Sequence, residues 1–201
     1  MVLNAKWIRP AQTTGDVCPV YSKQFSLFSS PNQSLSSVAH ATLSVTAMGV
    51  YEASLNGKRI GDFVLAPGWT SYRHRLQVQT YDVTELLSSE NELSILVGKG
   101  WYRSPLAWPD EAHRQQKAQI SAGLIALLTI TYTDGSTQLL PTGADWSAYE
   151  SNVRFSEIYD GETYDAAFDP SSAPIAIAEF DGPSDTLIAQ QGEKITEQER
   201  I

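Results

Sequence analysis

Along most of this chain, hydrophobic and polar residues alternate with a period of two. In a β-strand successive side chains point to opposite faces, so this period marks half-buried strands. The pattern is clearest over residues 49–103. Residues 50–55 (VYEASL) form one short run. Asn56 and Gly57 tolerate positive φ, the demand of a type I′ turn, and Lys58, Arg59 and Ile60 run back. Residues 76–83 (LQVQTYDV) alternate as a half-buried strand. Residues 93–97 (LSILV) predict another, ending at Gly98, Lys99 and Gly100. Two aromatic turns are predicted here, one at Ala66, Pro67, Gly68 and Trp69, the other at Gly100, Trp101 and Tyr102.

The flanking sequence continues the theme. Residues 5–8 and 20–27 read as strands, and a Ser/Pro/Asn/Gln loop at 29–37 separates the second from a strand at 39–47. In that strand Ala39, Ala41, Leu43, Val45 and Ala47 share one face. His40 and Thr42 share the other, so His40 reads as a surface residue rather than a ligand. Residues 84–87 predict a single helical turn with Asp82 or Thr84 as its cap. The polar stretch 104–119, with Pro105, Trp108, Pro109 and His113, reads as a long loop. Residues 122–132 are long enough for a helix, but Gly123, Thr129, Thr131, Tyr132 and the turn pair Asp134 and Gly135 favour a strand. A hairpin partner follows at 137–140, and closing strands at 145–146 and 154–159. From Ala166 onward Pro, Ser, Asp and Ala dominate, the composition of a linker. About nine to eleven short strands with regular turn signals predict an all-β chain, a β-sandwich over 1–169, with 170–201 leading toward a following domain.

Composition narrows the partners. The net charge is −9, from 14 basic and 23 acidic residues. No basic run is interleaved with aromatics, so neither nucleic acid nor an anionic membrane surface is expected as a partner. Neutral ligands such as sugars fit this balance. Cys18 is the only cysteine. It allows no intramolecular disulfide and no cysteine-based structural zinc, and reads as a small buried residue. The N-terminal residues lack the apolar core of a signal peptide, and no run approaches a membrane span, so the expected location is cytoplasmic.

Candidate catalytic groups are few. Glu157, Asp160, Glu162 and Asp165 are the clustered carboxylates. On an extended strand Asp160 and Glu162 share a face at ~6.7 Å, a gap compatible with a glycosidase pair. Asp160 and Gly161 also make a turn signal, and acids beside a turn commonly serve structural hydrogen bonds. His40, His74 and His113 lack metal-binding spacing, and no nucleophile elbow or phosphate loop occurs. Sugar binding needs an aromatic platform beside polar groups. Trp69, Tyr72, Trp101, Tyr102 and Trp108 could supply it, beside Asn56, Arg73, Arg103, Asp110 and Glu111. Trp7, Trp146 and Tyr81 lie in strand-like contexts and read as core. Trp69 and Trp101 suit either packing or binding.

One ordered set of blocks adds a resemblance. GVYEASLNGKRIGD, LAPGWTSYRHR, QTYDVT, ENEL, GKGWYR and then YDGETYDA at 159–166 follow one another along the chain. Together they resemble the N-terminal β-domain of bacterial α-L-rhamnosidases, glycoside hydrolase family 78. Ala167 stands where the family usually has arginine, and Lys99 where an acid is commoner. The resemblance implies a galactose-binding-like jelly roll. It also implies that the catalytic acids lie in a separate (α/α)6 barrel, so no catalytic residue and no metal ligand is assigned here. Candidate substrate contacts are Trp69, Tyr72, Arg73, Trp101, Tyr102, Arg103, Trp108, Asp160 and Glu162. The implied partners are a rhamnose-containing carbohydrate and that barrel. Related rhamnose-binding modules can hold calcium, for which Asp110, Glu111, Asp160 and Glu162 could provide oxygens. The alternatives are an autonomous rhamnose-binding module, a purely structural docking domain, and a self-contained hydrolase using Asp160 and Glu162.

Overall fold

The computed structural model describes residues 4–12, 14–28, 38–105, 112, 120–169 and 173–199. Among these, fourteen strands form: β1 (Trp7–Pro10), β2 (Pro19–Ser26), β3 (Val38–Ala47), β4 (Val50–Leu55), β5 (Lys58–Arg59), β6 (Leu76–Asp82), β7 (Glu90–Gly98), β8 (Leu124–Tyr132), β9 (Thr137–Pro141), β10 (Ser147–Glu150), β11 (Val153–Glu157), β12 (Gly161–Tyr164), β13 (Ile177–Phe180) and β14 (Leu187–Ala189). A seven-stranded sheet runs β13-β1-β8-β3-β6-β14, with β9 also on β8. A five-stranded sheet runs β10-β2-β7-β4-β5, and β11 and β12 form a separate hairpin.

Alternation builds the core. Leu43, Val45 and Ala47 of β3 and Leu124, Ala126, Leu128 and Ile130 of β8 face Ala53 and Leu55 of β4 and Leu93, Ile95 and Val97 of β7. All are buried. Each such Leu or Ile contributes about 1.5–3 kcal/mol by leaving water. The opposite face of the five-stranded sheet is polar, as at Ser22, whose hydroxyl donates to Glu92 at 2.7 Å. The larger sheet is also covered on its outer face. Trp7, Leu76, Val78 and Ile125 form a second cluster there, with Tyr72, Tyr102 and Phe180 packed on it. The all-β sandwich read from the alternation is the fold observed.

The first hairpin forms as its sequence demands, with Asn56 at φ 55° and Gly57 at φ 73°. Asp134 and Gly135 turn β8 into β9, with Gly135 at φ 85°. A 3₁₀ turn spans Thr84–Leu86. Asp82 holds it by accepting from the Thr84 N–H at 2.9 Å. Trp7 and Trp146 are core, while Tyr81 is half-buried.

Several expectations are corrected. Ala39 is exposed rather than core-facing, because the register of β3 on β8 shifts between Val38 and His40. Strand β6 is buried on both faces over 76–79, so its polar positions Gln77 and Gln79 lie inside. Gly100–Arg103 is a short α-helix, α1, rather than a turn. The stretch past Asp169 is more than a linker. Strand β13 pairs antiparallel with β1, and β14 pairs parallel with β6. Apolar residues within that Pro- and Ser-rich composition supply the edge strands: Ile177 and Phe180 pack in β13, and Leu187 in β14. The loop expected at 29–37 and most of that at 104–119, including Trp108, Asp110, Glu111 and His113, lie outside the described residues.

Candidate functional site

Two loops carry the aromatic candidates to one place. The first spans residues 65–69 and follows the first hairpin. Leu65 takes a positive φ of 59° and Gly68 one of 86°. Its backbone is pinned from three sides. The Ala66 carbonyl accepts from the Tyr51 N–H at 2.8 Å, and the Pro67 carbonyl accepts from the buried Gln77 amide at 3.2 Å. The Gly68 carbonyl accepts from the Tyr72 hydroxyl at 3.0 Å.

Beneath this loop lies a buried polar chain. The Tyr51 hydroxyl donates to Gln79 Oε1 at 2.8 Å, and the Gln79 amide donates to Gln190. Gln77 Oε1 accepts from the Gln191 N–H at 2.9 Å. Thus the tail after β14 fastens the base of the loop. A second tie lies nearby, where the Lys194 ammonium meets Asp62 at 2.6 Å. The alternating pattern of β6 hid these glutamines, because inward polar residues look like outward ones in sequence.

The second loop is α1. Gly100 opens it at φ 50°, and a Cβ there would stand 2.5 Å from Val50 Cγ1 and 2.8 Å from Val50 N. Only glycine lets β4 and α1 approach this closely. The result places Trp101 against Trp69, with ring centroids 6.2 Å apart and planes 8° from parallel. Trp69 is 60% exposed and Trp101 half-buried. Stacking of this kind contributes about 0.5–1.5 kcal/mol beyond area burial. It leaves an indole face open to solvent.

Tyr72 and Tyr102 meet beside this pair, centroids 4.7 Å apart. They pack on the outer cluster of the larger sheet. Burial, and for Tyr72 also the neighbouring Tyr102, pushes both phenols above their ordinary pKa. Both therefore stay neutral at physiological pH. Arg73 is exposed in the following turn.

The remaining candidates lie elsewhere. Arg103 sits two residues, about 200° of helix, from Trp101, and lines a different cavity with Arg9. Asp160 is in the β11–β12 turn rather than on a strand beside Glu162, so no shared strand face pairs these two acids. Glu162 lines a cleft of about 390 Å³ with Glu52, Leu65, Gly98 and Tyr164. Leu65, four residues before Trp69 in the same loop, forms part of this cleft's lining.

Glu157 is the buried carboxylate of the group, 7% exposed. Its Oε2 accepts from the Tyr159 N–H at 2.5 Å and the Asp160 N–H at 2.8 Å. Burial alone would raise its pKa. Hydrogen bonds from the Ser104 side chain and the backbone N–H groups of Asp160, Tyr159 and Ile158 outweigh burial and hold it below the ordinary value. It is a clamp on the turn. Asp165 likewise caps its own loop, accepting from the Ala167 N–H at 3.0 Å. Lys99 meets Asp16 at 2.6 Å and lies 4.4 Å over the Phe155 ring. Among the described residues, no three His, Cys, Asp or Glu side chains gather as a metal site.

The fold and its surface define an all-β sandwich module with an exposed aromatic stack. The chain belongs to the family of α-L-rhamnosidase N-terminal domains, whose model matches residues 36–199. An α-L-rhamnosidase of Streptomyces avermitilis is 40% identical over 131 residues, covering 64% of this chain and 12% of that protein. One from Formosa agariphila is 38% identical over 131 residues, covering 64% of this chain and 14% of its own length. The chain thus spans only a small part of these curated relatives. Among solved structures, native α-L-rhamnosidase of Aspergillus terreus superimposes with TM-score 0.80 at 31% identity, over 94% of this chain and 22% of that one. The Streptomyces avermitilis α-L-rhamnosidase complexed with L-rhamnose gives TM-score 0.73 at 34% identity, over 87% of this chain and 17% of that one. A Pleurotus ostreatus lectin shares the fold at TM-score 0.57 and 18% identity, over 95% of this chain and 47% of that one.

Proposed function

We propose that this chain is a non-catalytic β-domain of an α-L-rhamnosidase-like glycoside hydrolase, and that it contacts the rhamnoside through the Trp69–Trp101 pair. The observation that carries this reading is the 60% exposure of an indole already stacked on a second one. A ring held that way offers an apolar face to the C–H face of a sugar at little further ordering cost. Arg73, exposed four residues beyond Trp69, and the cleft acid Glu162 are of the types suited to sugar hydroxyl groups. Catalysis is assigned to a separate barrel domain of the parent enzyme. A docking face for that barrel is offered by Tyr159 and Tyr164 on the β11–β12 hairpin, 57% and 62% exposed, beside Leu65. Cytoplasmic location belongs to the same proposal, and a lone buried Cys18 needs no oxidising compartment.

The test is ligand-detected NMR of the chain with L-rhamnose, with and without calcium, and with D-glucose as control. Rhamnose-selective binding supports the reading, and calcium dependence adds a metal to it. Absence of binding at tens of millimolar leaves the domain a purely structural one.

A further inference from the structure

The outer face of the five-stranded sheet carries a groove. Two cavities lie on it, of about 350 and 250 Å³, and Val20 and Ser94 line both. Glu52 and Leu96 line the smaller one and also the cleft of about 390 Å³ beside Glu162. The three hollows therefore adjoin in a row that starts at β10 and ends under the β11–β12 hairpin. Strand register lays their floor. Tyr149 of β10 is opposite Val20 of β2, Val20 is opposite Leu96 of β7, and Leu96 is opposite Glu52 of β4. In the next row Ser147 is opposite Ser22, Ser22 opposite Ser94, and Ser94 opposite Ser54, whose other neighbour is Arg59 of β5. Opposite residues share one side of a sheet with Cβ atoms about 4.5–5.5 Å apart. Tyr21, Ala53, Ile95 and Ala148 alternate with these positions and point into the core, so both rows face outward.

Strand positions favour β-branched and aromatic side chains. Here one row is serine on four neighbouring strands, and beside it runs an apolar row of Tyr149, Val20 and Leu96. These three are half-buried, and Ser22 is 7% exposed. The ends of the groove are made of longer side chains held in ion pairs. Arg59 meets Glu52 at 3.3 Å at one end, and Arg154 meets Glu150 at 2.9 Å at the other. The Ser22 hydroxyl holds Glu92 at 2.7 Å on the wall of the 350 Å³ cavity. With each end neutralised by its arginine, Glu92 and Glu162 leave the lining mildly acidic, which disfavours an anionic ligand.

We propose that this groove is a second carbohydrate site, one that takes a neutral oligosaccharide laid across the strands. A sugar ring has apolar C–H faces and hydroxyl edges. The row of Tyr149, Val20 and Leu96 offers the faces an apolar strip, and the parallel serine row offers the edges hydroxyls that both donate and accept. Asn152 adds an amide and Glu92 a fixed carboxylate in the larger of the two floor cavities. Adjacent strands lie about 4.7–4.9 Å apart, so the four strands from β10 to β4 carry both rows over roughly 14 Å. Each hollow is at the small end of ligand cavities and fits about one ring. A row of them suits a short run of linked rings rather than a lone monosaccharide. Neither Trp69 nor Trp101 lines the groove, so this site stands apart from the indole pair.

The experiment titrates the ¹⁵N-labelled chain at constant ionic strength, following the backbone amides of Ser22, Ser54, Ser94 and Leu96. The probes are cellohexaose, mannohexaose and xylohexaose, each beside its disaccharide, with hexagalacturonate as the acidic counterpart. The expected result is a saturable shift of these amides with at least one neutral hexaose and none with hexagalacturonate. That hexaose is expected to bind about tenfold more tightly than its disaccharide, because linked rings engage neighbouring hollows at high effective concentration. Ser94→Lys lays a long side chain across the middle of the floor from an outward position. It is expected to weaken hexaose binding by about tenfold or more, with the indole signals unmoved. Tyr149→Ser is expected to cost several-fold. No shift of the four amides with any of the three hexaoses at several millimolar overturns the site, as does an affinity that both variants leave unchanged. Disaccharides that bind as tightly as the hexaoses overturn the extended groove, and hexagalacturonate that does so overturns the neutral ligand. The Trp69 and Trp101 indole signals report on rhamnose separately, so failure of either proposal is visible without the other.

Discussion

Replacing Glu157 by glutamine tests how the β11–β12 hairpin is held. The carboxylate is buried and accepts two backbone N–H groups of the turn, at 2.5 and 2.8 Å. Charge-assisted bonds contribute about 1.5–3 kcal/mol each and neutral ones about 0.5–1.5. Glutamine keeps the shape but weakens both bonds, while an amide is easier to bury than a carboxylate. The net loss expected at pH 7 is about 1–2 kcal/mol. The pH dependence follows from the lowered pKa. Above the unfolded value of 4.5 the carboxylate contributes its full stability, and that contribution disappears as pH falls through the folded value. Glu157→Gln has no such term, so its deficit shrinks in acid. Urea unfolding of both chains between pH 7 and pH 3.5, with hydrogen exchange at Tyr159 and Asp160, measures it. A deficit within about 0.3 kcal/mol at neutral pH, or one that widens in acid, refutes the clamp.

Two other substitutions probe the same frame. Gly100→Ala places a Cβ at φ 50° against Val50, so a loss of about 2 kcal/mol or more is expected, with altered Trp101 fluorescence; unchanged stability and emission contradict the close approach. The Cys18 thiol is pushed up by burial from 9.0 to about 11. Its contribution is intact below pH 9 and lost as pH rises to 11, so the wild type is expected to lose about 2–3 kcal/mol relative to Cys18→Ala over that window. Disulfide exchange at pH 8 is expected only on unfolding.

The legible parts of this fold were those set by local chemistry. Asn56 and Gly57 fixed one hairpin by their tolerance of positive φ, and Asp134 and Gly135 another. Alternation located β2, β3, β4, β6 and β7 to within a few residues. What stayed hidden depends on distant partners. Gln77 and Gln79 are inward because the tail and the Pro67 carbonyl meet them there. The tail itself looked like a linker because edge strands of three or four residues carry little pattern. Trp69 and Trp101 were both named from their Gly-flanked contexts, yet 32 positions separate them. Their stacking required the glycine at 100 and the positive φ of Leu65, neither of which has a periodic signature. Arg103 was grouped with the aromatics because it is adjacent in sequence, whereas the helical turn of α1 points it into another cavity.

In the proposed function the indole pair meets the sugar. The most direct measurement follows the Trp69 and Trp101 indole N–H signals as L-rhamnose is added. Both are expected to shift with one common saturation curve, D-glucose to leave them unmoved, and Trp69→Ala to weaken binding by up to about tenfold. Rhamnose binding that moves neither indole, or that survives Trp69→Ala unchanged, contradicts it.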